Sequence, residues 1–304
     1  MIDNTVKVIL DEKLLLENAA TMARYYKYAA LGDFINTLDT LSDDIFFDIS
    51  GDPSILPFSG LWSGKEKVKE LFMKFGSSFR LLSLEENQVV ESNHKIHSFN
   101  DESFFVYSTN RFYRVPVLHT LTFDANNKIS SLVNIHDTTA AISAFTGGNP
   151  EVIPINGDKS SASKLSALNH PIQFGEANQQ QQAINTAKDV LALVFNGINN
   201  PVSISEKVQV YIPGKPTRDL ISGVWTGGEL QNSYPGRVLE LMNSLGTHAD
   251  SFQAKEIIVD MNHLVIEGIQ EGNKNGKWVI LTILNDEQKV TSISLYLDFE
   301  NLKP

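Results

Sequence analysis

Apolar residues along this chain switch between two spacings, and they do so in the same order twice. From about Leu14 to Leu31, and again from Phe34 to Leu41, they recur every three or four residues, the period of a helix with one buried face. IFFDI (45–49) reads as a short strand, and a loop punctuated by Gly and Pro leads to the hexapeptide SGLWSG (59–64). Ser63 and Glu66 stand three apart, the spacing of a capping box, ahead of a helix with Val68, Leu71, Phe72 and Phe75 on one face. The period then drops to two. FFVYST (104–109), FYRVPVLHTLTF (112–123), the turn DANN and KISSLVNIHD (128–137) predict antiparallel strands. In the second half SGVWTG (222–227) repeats the hexapeptide, with Thr226 and Glu229 in place of the cap pair. A helix is expected from near Pro235, burying Val238, Leu241, Met242 and Leu245, followed by strands HLVIEGI, KWVILTIL and KVTSISLYLDF.

The repetition is one of residues as well as of pattern. ISGDPSILPFSGLWSG (49–64) aligned without gaps on IPGKPTRDLISGVWTG (212–227) matches Ile49/Ile212, Gly51/Gly214, Pro53/Pro216, Ser59/Ser222, Gly60/Gly223, Trp62/Trp225 and Gly64/Gly227. KISSLVNIHD aligns with KVTSISLYLD (289–298) in the same way. Chance gives about one identity in such a window at average residue usage. The chain therefore reads as a tandem duplication of an α+β unit, helices first and a curved antiparallel sheet after. The expected boundaries are 1–146 for the first domain, 147–180 for a linker rich in Gly, Ser, Pro, Asn and Gln, and 181–304 for the second domain.

Composition narrows the partners. A net charge of −11 without a basic stripe argues against nucleic acid and against an anionic membrane surface. There is no cysteine, which rules out disulfides, thiolate catalysis and Cys-bound metal. Acidic residues interrupt the apolar residues near the start, unlike a signal peptide, and no run reaches membrane-span length. The expectation is a soluble, cytoplasmic protein.

The acidic pair in SDDIFFDI, then LPFSGLWSGKEKVKELFMKF and HTLTFDANNKISSLVNIHD, resemble the nuclear transport factor 2-like superfamily, and within it the SnoaL-like polyketide cyclase and ketosteroid isomerase branch. The resemblance covers residues 14–145 well and 183–302 more weakly, largely through the internal repeat. It implies two tandem cones, each with helices closing over a bent sheet around an apolar pocket. Such domains often pair sheet to sheet, so internal pairing of the two copies or a homodimer is open.

Strand parity nominates the site. On 112–123, Val117, Leu121 and Phe123 share a face with His119 and with Tyr113; on 128–137, Ile129, Val133 and Ile135 share one with Asp137, whereas His136 has the opposite parity and is expected to point away. His119 and Asp137 are thus expected on apolar inward faces, where a charge is costly. The resemblance implies roles: His119 falls where ketosteroid isomerases place an acid bonded to the developing oxyanion. Asp137 falls where SnoaL-like cyclases carry a general acid/base, and the isomerases' base position falls on Ile49. Trp62, Phe58, Phe123, Val133 and Ile49 are the expected pocket walls.

The chemistry implied is proton abstraction beside a carbonyl by Asp137, with His119 and Tyr113 stabilising the enolate oxygen and no metal or cofactor. The bland readings are a core histidine and a strand-end cap. In the second repeat the His119 position falls on or near Val279, which predicts a structural or ligand-holding copy. Three functions stay open: a cofactor-independent lyase, cyclase or isomerase, a carrier or sensor of a small apolar molecule, or an interaction module. His94 and His97, three apart on a strand, point to opposite faces and make an unsuitable metal site.

Overall fold

Helix α1 (Glu12–Ala30) buries Asn18, Thr21, Met22 and Tyr25 at helical spacing, and Asn18 Nδ2 is anchored to the Asn93 carbonyl oxygen at 3.1 Å. Gly32, at φ +68°, lets the chain reverse into α2 (Phe34–Asp39), whose first turn is capped by Asp33. These elements belong to a computed structural model that describes residues 12–149, 179–197, 203–212, 223–244, 251–260, 262–270 and 276–297. The described chain divides into two units, 12–149 and 179–297.

In the first unit β1 (Leu41–Ile49), β2 (Gly60–Ser63), β3 (Phe79–Ser92), β4 (Lys95–Val106), β5 (Arg111–Phe123) and β6 (Ile129–His136) form one sheet in the order β2-β1-β6-β5-β4-β3. All neighbours are antiparallel except β1 and β6, which run parallel. Helix α3 (Lys65–Ser78) buries Val68, Leu71 and Phe72 toward the sheet, and α4 (Thr138–Phe145) packs by β5. The long β3 lies in a stretch whose mixed polar residues hide its period, and β4 begins nine residues before the expected Phe104.

The second unit repeats the plan. Helix α5 (Gln179–Asn196) is followed by β7 (Ile204–Ile212), β8 (Gly223–Thr226), α6 (Gly227–Asn232) and α7 (Tyr234–Ser244). Strands β9 (Phe252–Asp260), β10 (His263–Gln270), β11 (Lys277–Leu284) and β12 (Val290–Leu297) complete a sheet ordered β8-β7-β12-β11-β10-β9, again with one parallel pair, β12 and β7. Each unit is a cone of helices on a curved sheet, the α+β arrangement expected. Helix α7 buries Val238, Leu241 and Met242 as the spacing predicts, while Leu245 lies outside the described residues. Most of the expected linker lies outside them too, and its last two positions, Gln179 and Gln180, already belong to α5.

The repeated hexapeptide is explained by its glycines rather than by a cap. Gly60 and Gly64 have φ of +102° and +82°, and Gly223 and Gly227 have +126° and +51°, conformations that a side chain disfavours. They bracket the short edge strands β2 and β8. The capping box does not form: Gly64 is the N-cap of α3, and Thr226, which does precede α6, makes no side-chain cap bond. Ser63 is still paired with Phe46 in the ladder, which places its hydroxyl a residue too early. Trp62 Nε1 instead donates to the Phe58 carbonyl oxygen at 2.9 Å, and Ser59 Oγ to that of Ser50, tying loop to strand.

Candidate functional site

The inner face of the first sheet closes a cavity of about 430 Å³ beneath α1, α2 and α3. Aromatic rings form much of its wall: Phe47, Phe58, Phe72, Phe79, Phe104 and Tyr113 among them. The Phe104 and Tyr113 rings stack at 4.9 Å, and Phe79 meets Phe104 edge-on at 4.9 Å, so this wall is rigid. Leu31, 72% exposed, and Tyr107, 44% exposed, also line it and mark its mouth.

One carboxyl stands in this apolar space. Glu102 projects from β4 on the same face as Phe104 and Val106, is 5% exposed, and its Oε1 has no hydrogen-bond partner among the described residues. Burial pushes its pKa up to about 8, so at neutral pH it is mostly the neutral acid. A charge there would in turn raise Tyr25, Tyr26 and Tyr113, which stand close by. His119 Nε2 lies 3.7 Å from Glu102 Oε1, but burial and then His136 lower the His119 pKa to about 3, so the two are neutral neighbours and not an ion pair.

Beside Glu102 runs a hydrogen-bonded row across three strands and α1. Asn134, opposite His119 in the β5–β6 ladder, places Nδ2 2.8 Å from His119 Nε2 and Oδ1 2.8 Å from His136 Nδ1. With that amide orientation His136 donates from Nδ1 and His119 accepts at Nε2, which leaves the His119 proton on Nδ1, 3.0 Å from Tyr26 Oη. Asn100 Nδ2 stands farther from the same His119 Nδ1, at 3.4 Å, and Asn100 Oδ1 accepts from the Ser98 hydroxyl at 3.0 Å. Burial holds His136 neutral as well, with its pKa down to about 4.

Of the residues expected at the site, His119, Tyr113, Ile49 and Phe58 line the cavity. The β4–β5 register runs without a shift past Pro116, which keeps Tyr113 in phase with His119. The β6 parity is reversed from that expected. Thr122 pairs with Ser131 but Phe123 with Ile129, so Ser130 is a bulge, and the extra residue turns Leu132, Asn134 and His136 inward. His136 therefore lines the cavity instead of pointing away, and Val133, paired with Thr120, faces the other side of the sheet. Asp137 is not a cavity residue: it is the N-cap of α4, accepting from the Thr139 and Ala140 amides at 2.9 and 3.3 Å. Trp62 and Phe123 pack in the core away from the cavity.

Glu102, Tyr26 and Asn134 were missed. Glu102 was legible: ESFFV alternates, so extending the strand two residues before Phe104 puts Glu102 on the apolar face. Asn134 depended on the bulge, and Tyr26 on how α1 lies over the sheet.

In the second unit the histidine and asparagine positions are apolar. Ile280 pairs with Leu295 as His119 does with Asn134, so Ile280, next to the expected Val279, stands in the histidine's place. Leu297 replaces His136 in the aligned strand, and Gln270, the last residue of β10, meets Gly276 as Glu102 meets Val115 in the first sheet. Trp278, Phe195, Phe252 and Tyr234 fill this interior, with Phe195 and Phe252 stacked at 4.3 Å. Asp298 lies outside the described residues. His97, on β4, bonds to Thr120 Oγ1 at 3.0 Å, and His94 lies in the β3–β4 turn. Among the described residues no group of three His, Asp or Glu could hold a metal ion, and no helix is long and apolar enough to cross a membrane.

No protein-family model matches the sequence, and no curated protein does. Solved structures do resemble it. A nuclear transport factor 2-like protein from Burkholderia xenovorans is 21% identical, covering 43% of this chain and 97% of its own, with a TM-score of 0.40. A proposed isomerase from Rhodopseudomonas palustris, also 21% identical, covers 42% of this chain and 96% of its own, with a TM-score of 0.39. A proposed polyketide cyclase from Xanthomonas campestris is 13% identical, covering 43% and 98%, with a TM-score of 0.37. Each spans about the length of one unit, and none bears on the chemistry of this chain.

Proposed function

We propose that the first unit binds a small, mostly apolar molecule bearing a carbonyl, and that Glu102 moves a proton to and from a carbon beside that carbonyl. The observation that carries this reading is a single unpartnered carboxyl, almost wholly buried, inside an aromatic cavity. Such a group has no structural bond to lose, and a raised pKa suits proton exchange near neutral pH. In the step, ionised Glu102 takes the proton, the electron pair moves onto the carbonyl oxygen, and Tyr113 O–H bonds the resulting enolate. Return of the proton to another carbon completes an isomerase-type reaction; in a cyclase-type reaction the enolate carbon instead attacks a second carbonyl carbon of the same molecule, and that carbonyl's oxygen takes the proton from Glu102. His119, neutral and bonded on both nitrogens, orients the row. Asp137 is replaced by Glu102 as the acting carboxyl in this reading, because its oxygens hold the start of α4.

A carrier is the second reading, favoured by how fully the other polar groups of the row are bonded to one another. The two separate experimentally. Carbonyl-bearing polycyclic, steroid-like and terpenoid compounds are screened by thermal shift, since a ligand of the native state raises Tm by mass action. A hit lost in Val115→Phe, which fills the cavity opposite Glu102, places the ligand there. Deuterium exchange at its carbon beside the carbonyl is then followed by NMR. Exchange abolished in Glu102→Gln with binding retained supports catalysis; exchange absent from the native protein leaves the carrier. No shift across the panel would sink both.

A further inference from the structure

We propose that Asn134 is a positioning residue that keeps the Glu102 proton available to the cavity, by donating its own amide N–H to the imidazole nitrogen that would otherwise accept it. The inference rests on Glu102 as the acting group. His119 Nε2 is 3.7 Å from Glu102 Oε1, close enough for a small rotation to join them. A neutral imidazole nitrogen has one lone pair, and Asn134 Nδ2 already occupies it at 2.8 Å. The amide is held that way round at its other end, where Oδ1 accepts from His136 Nδ1 at 2.8 Å. His136 is itself fixed by its backbone N–H, which donates to Ser50 Oγ at 3.2 Å. At its other nitrogen His119 meets Tyr26 Oη at 3.0 Å, with the Asn100 Nδ2 donor farther off at 3.4 Å, so the two shorter contacts put the imidazole proton on Nδ1 and leave Nε2 to accept from Asn134.

The result is the buried, unbonded Oε1 observed on Glu102. An unpaired polar atom in an apolar cavity is destabilising and normally finds a neighbouring partner. Here the partner is present and already engaged. Besides His119, the titratable and charged groups of the cavity around Glu102 are Tyr25 and Tyr26 from α1, Tyr113 from β5, His136 from β6, Arg80 from β3, Tyr107 at the mouth and, beyond Ser98, Glu86 of β3. Tyr25, Tyr26 and Tyr113 are held neutral by burial, so none of the three supplies a competing charge.

The test is NMR on the whole chain with ¹⁵N-histidine and ¹³C-carboxyl glutamate, and needs no ligand. In the native protein His119 is expected to be unprotonated at Nε2 and protonated at Nδ1; the opposite tautomer overturns the proposal without any variant having to fold. The Glu102 carboxyl is expected to titrate near pH 8. Asn134→Leu frees Nε2 to accept the Glu102 O–H, which stabilises the neutral acid, so the midpoint rises by about one pH unit or more. In a His119→Phe background the same substitution leaves the midpoint in place. An unmoved or lowered midpoint in Asn134→Leu, or an equal rise with and without His119, overturns the proposal; a fall would mean only that water had entered. If instead Glu102 has no role in proton exchange, that shows in the deuterium assay and leaves these readouts unchanged.

Discussion

The side chains of the first cavity pull the pH dependence of stability in two directions. Folded Glu102 keeps its proton up to about pH 8, whereas an unfolded glutamate loses it near 4.5, so between those values the folded state binds more protons and stability falls as pH rises. Glu102→Gln removes that loss. The variant is expected to gain on the native protein by about 1–3 kcal/mol from pH 5 to pH 8, as read by chemical denaturation at each pH. His119 and His136 act oppositely. Their folded pKa values, about 3 and 4, lie below the ordinary 6.5, so the stability of keeping them neutral is complete above pH 6.5 and drains away as pH falls toward 4 and then 3. Asp137→Ala should lower stability by about 1 kcal/mol through loss of the α4 cap. Retention of ligand by that variant is expected, and its loss would restore Asp137 to the site.

At the scale of elements, two backbone features decide what faces what. The Ser130 bulge moves every later side chain of β6 to the opposite face, which is how a histidine and an asparagine come to replace valine in the cavity wall. In the second unit Gly268 serves packing instead. A Cβ there would lie 2.1 Å from Trp278 Cζ2 and 2.3 Å from the Gln253 carbonyl oxygen, so the large ring seats only on a bare backbone. Gly268→Ala should therefore destabilise this unit by about 3 kcal/mol or more, and the shift of Trp278 fluorescence on unfolding reports it. Gly64→Ala meets only an ordinary contact with the Asp43 carbonyl oxygen at 4.0 Å and a strained φ, and a loss of about 1 kcal/mol is expected from its melting curve. A larger loss at Gly64 than at Gly268 would contradict this account of the two glycines.

Across the whole molecule, the same fold is used once around a cavity with a carboxyl and once, among the described residues, around an apolar cluster. In the second unit Trp278 and the Phe195–Phe252 stack occupy the space over the sheet, and Ile280, Leu295 and Leu297 replace the polar row. Titration calorimetry with a confirmed ligand is expected to give one molecule bound per chain. Two equivalent sites would mean that the second interior opens, and would remove the asymmetry on which the functional reading depends.

Much of this was determined by the sequence alone. The alternation of helical and strand periods, the paired Gly-Trp-Gly segments and the aligned strands specify two α+β units, because these signals are local and the duplication states them twice. The inward placement of His119 and Tyr113 was legible for the same reason: β5 keeps an unbroken period of two. What the tertiary structure decided is which other groups meet them. A bulge arises from how β6 must pair with both β1 and β5 at once, and no residue at Ser130 announces it. Asp137 and His136 are chain neighbours, yet one caps a helix and the other lines a cavity. Glu102 had the right parity, but its pKa and its lack of a partner come from the aromatic rings and the engaged imidazole around it. Those surroundings are assembled from α1, β3, β4, β5 and β6, and only folding brings such distant segments together.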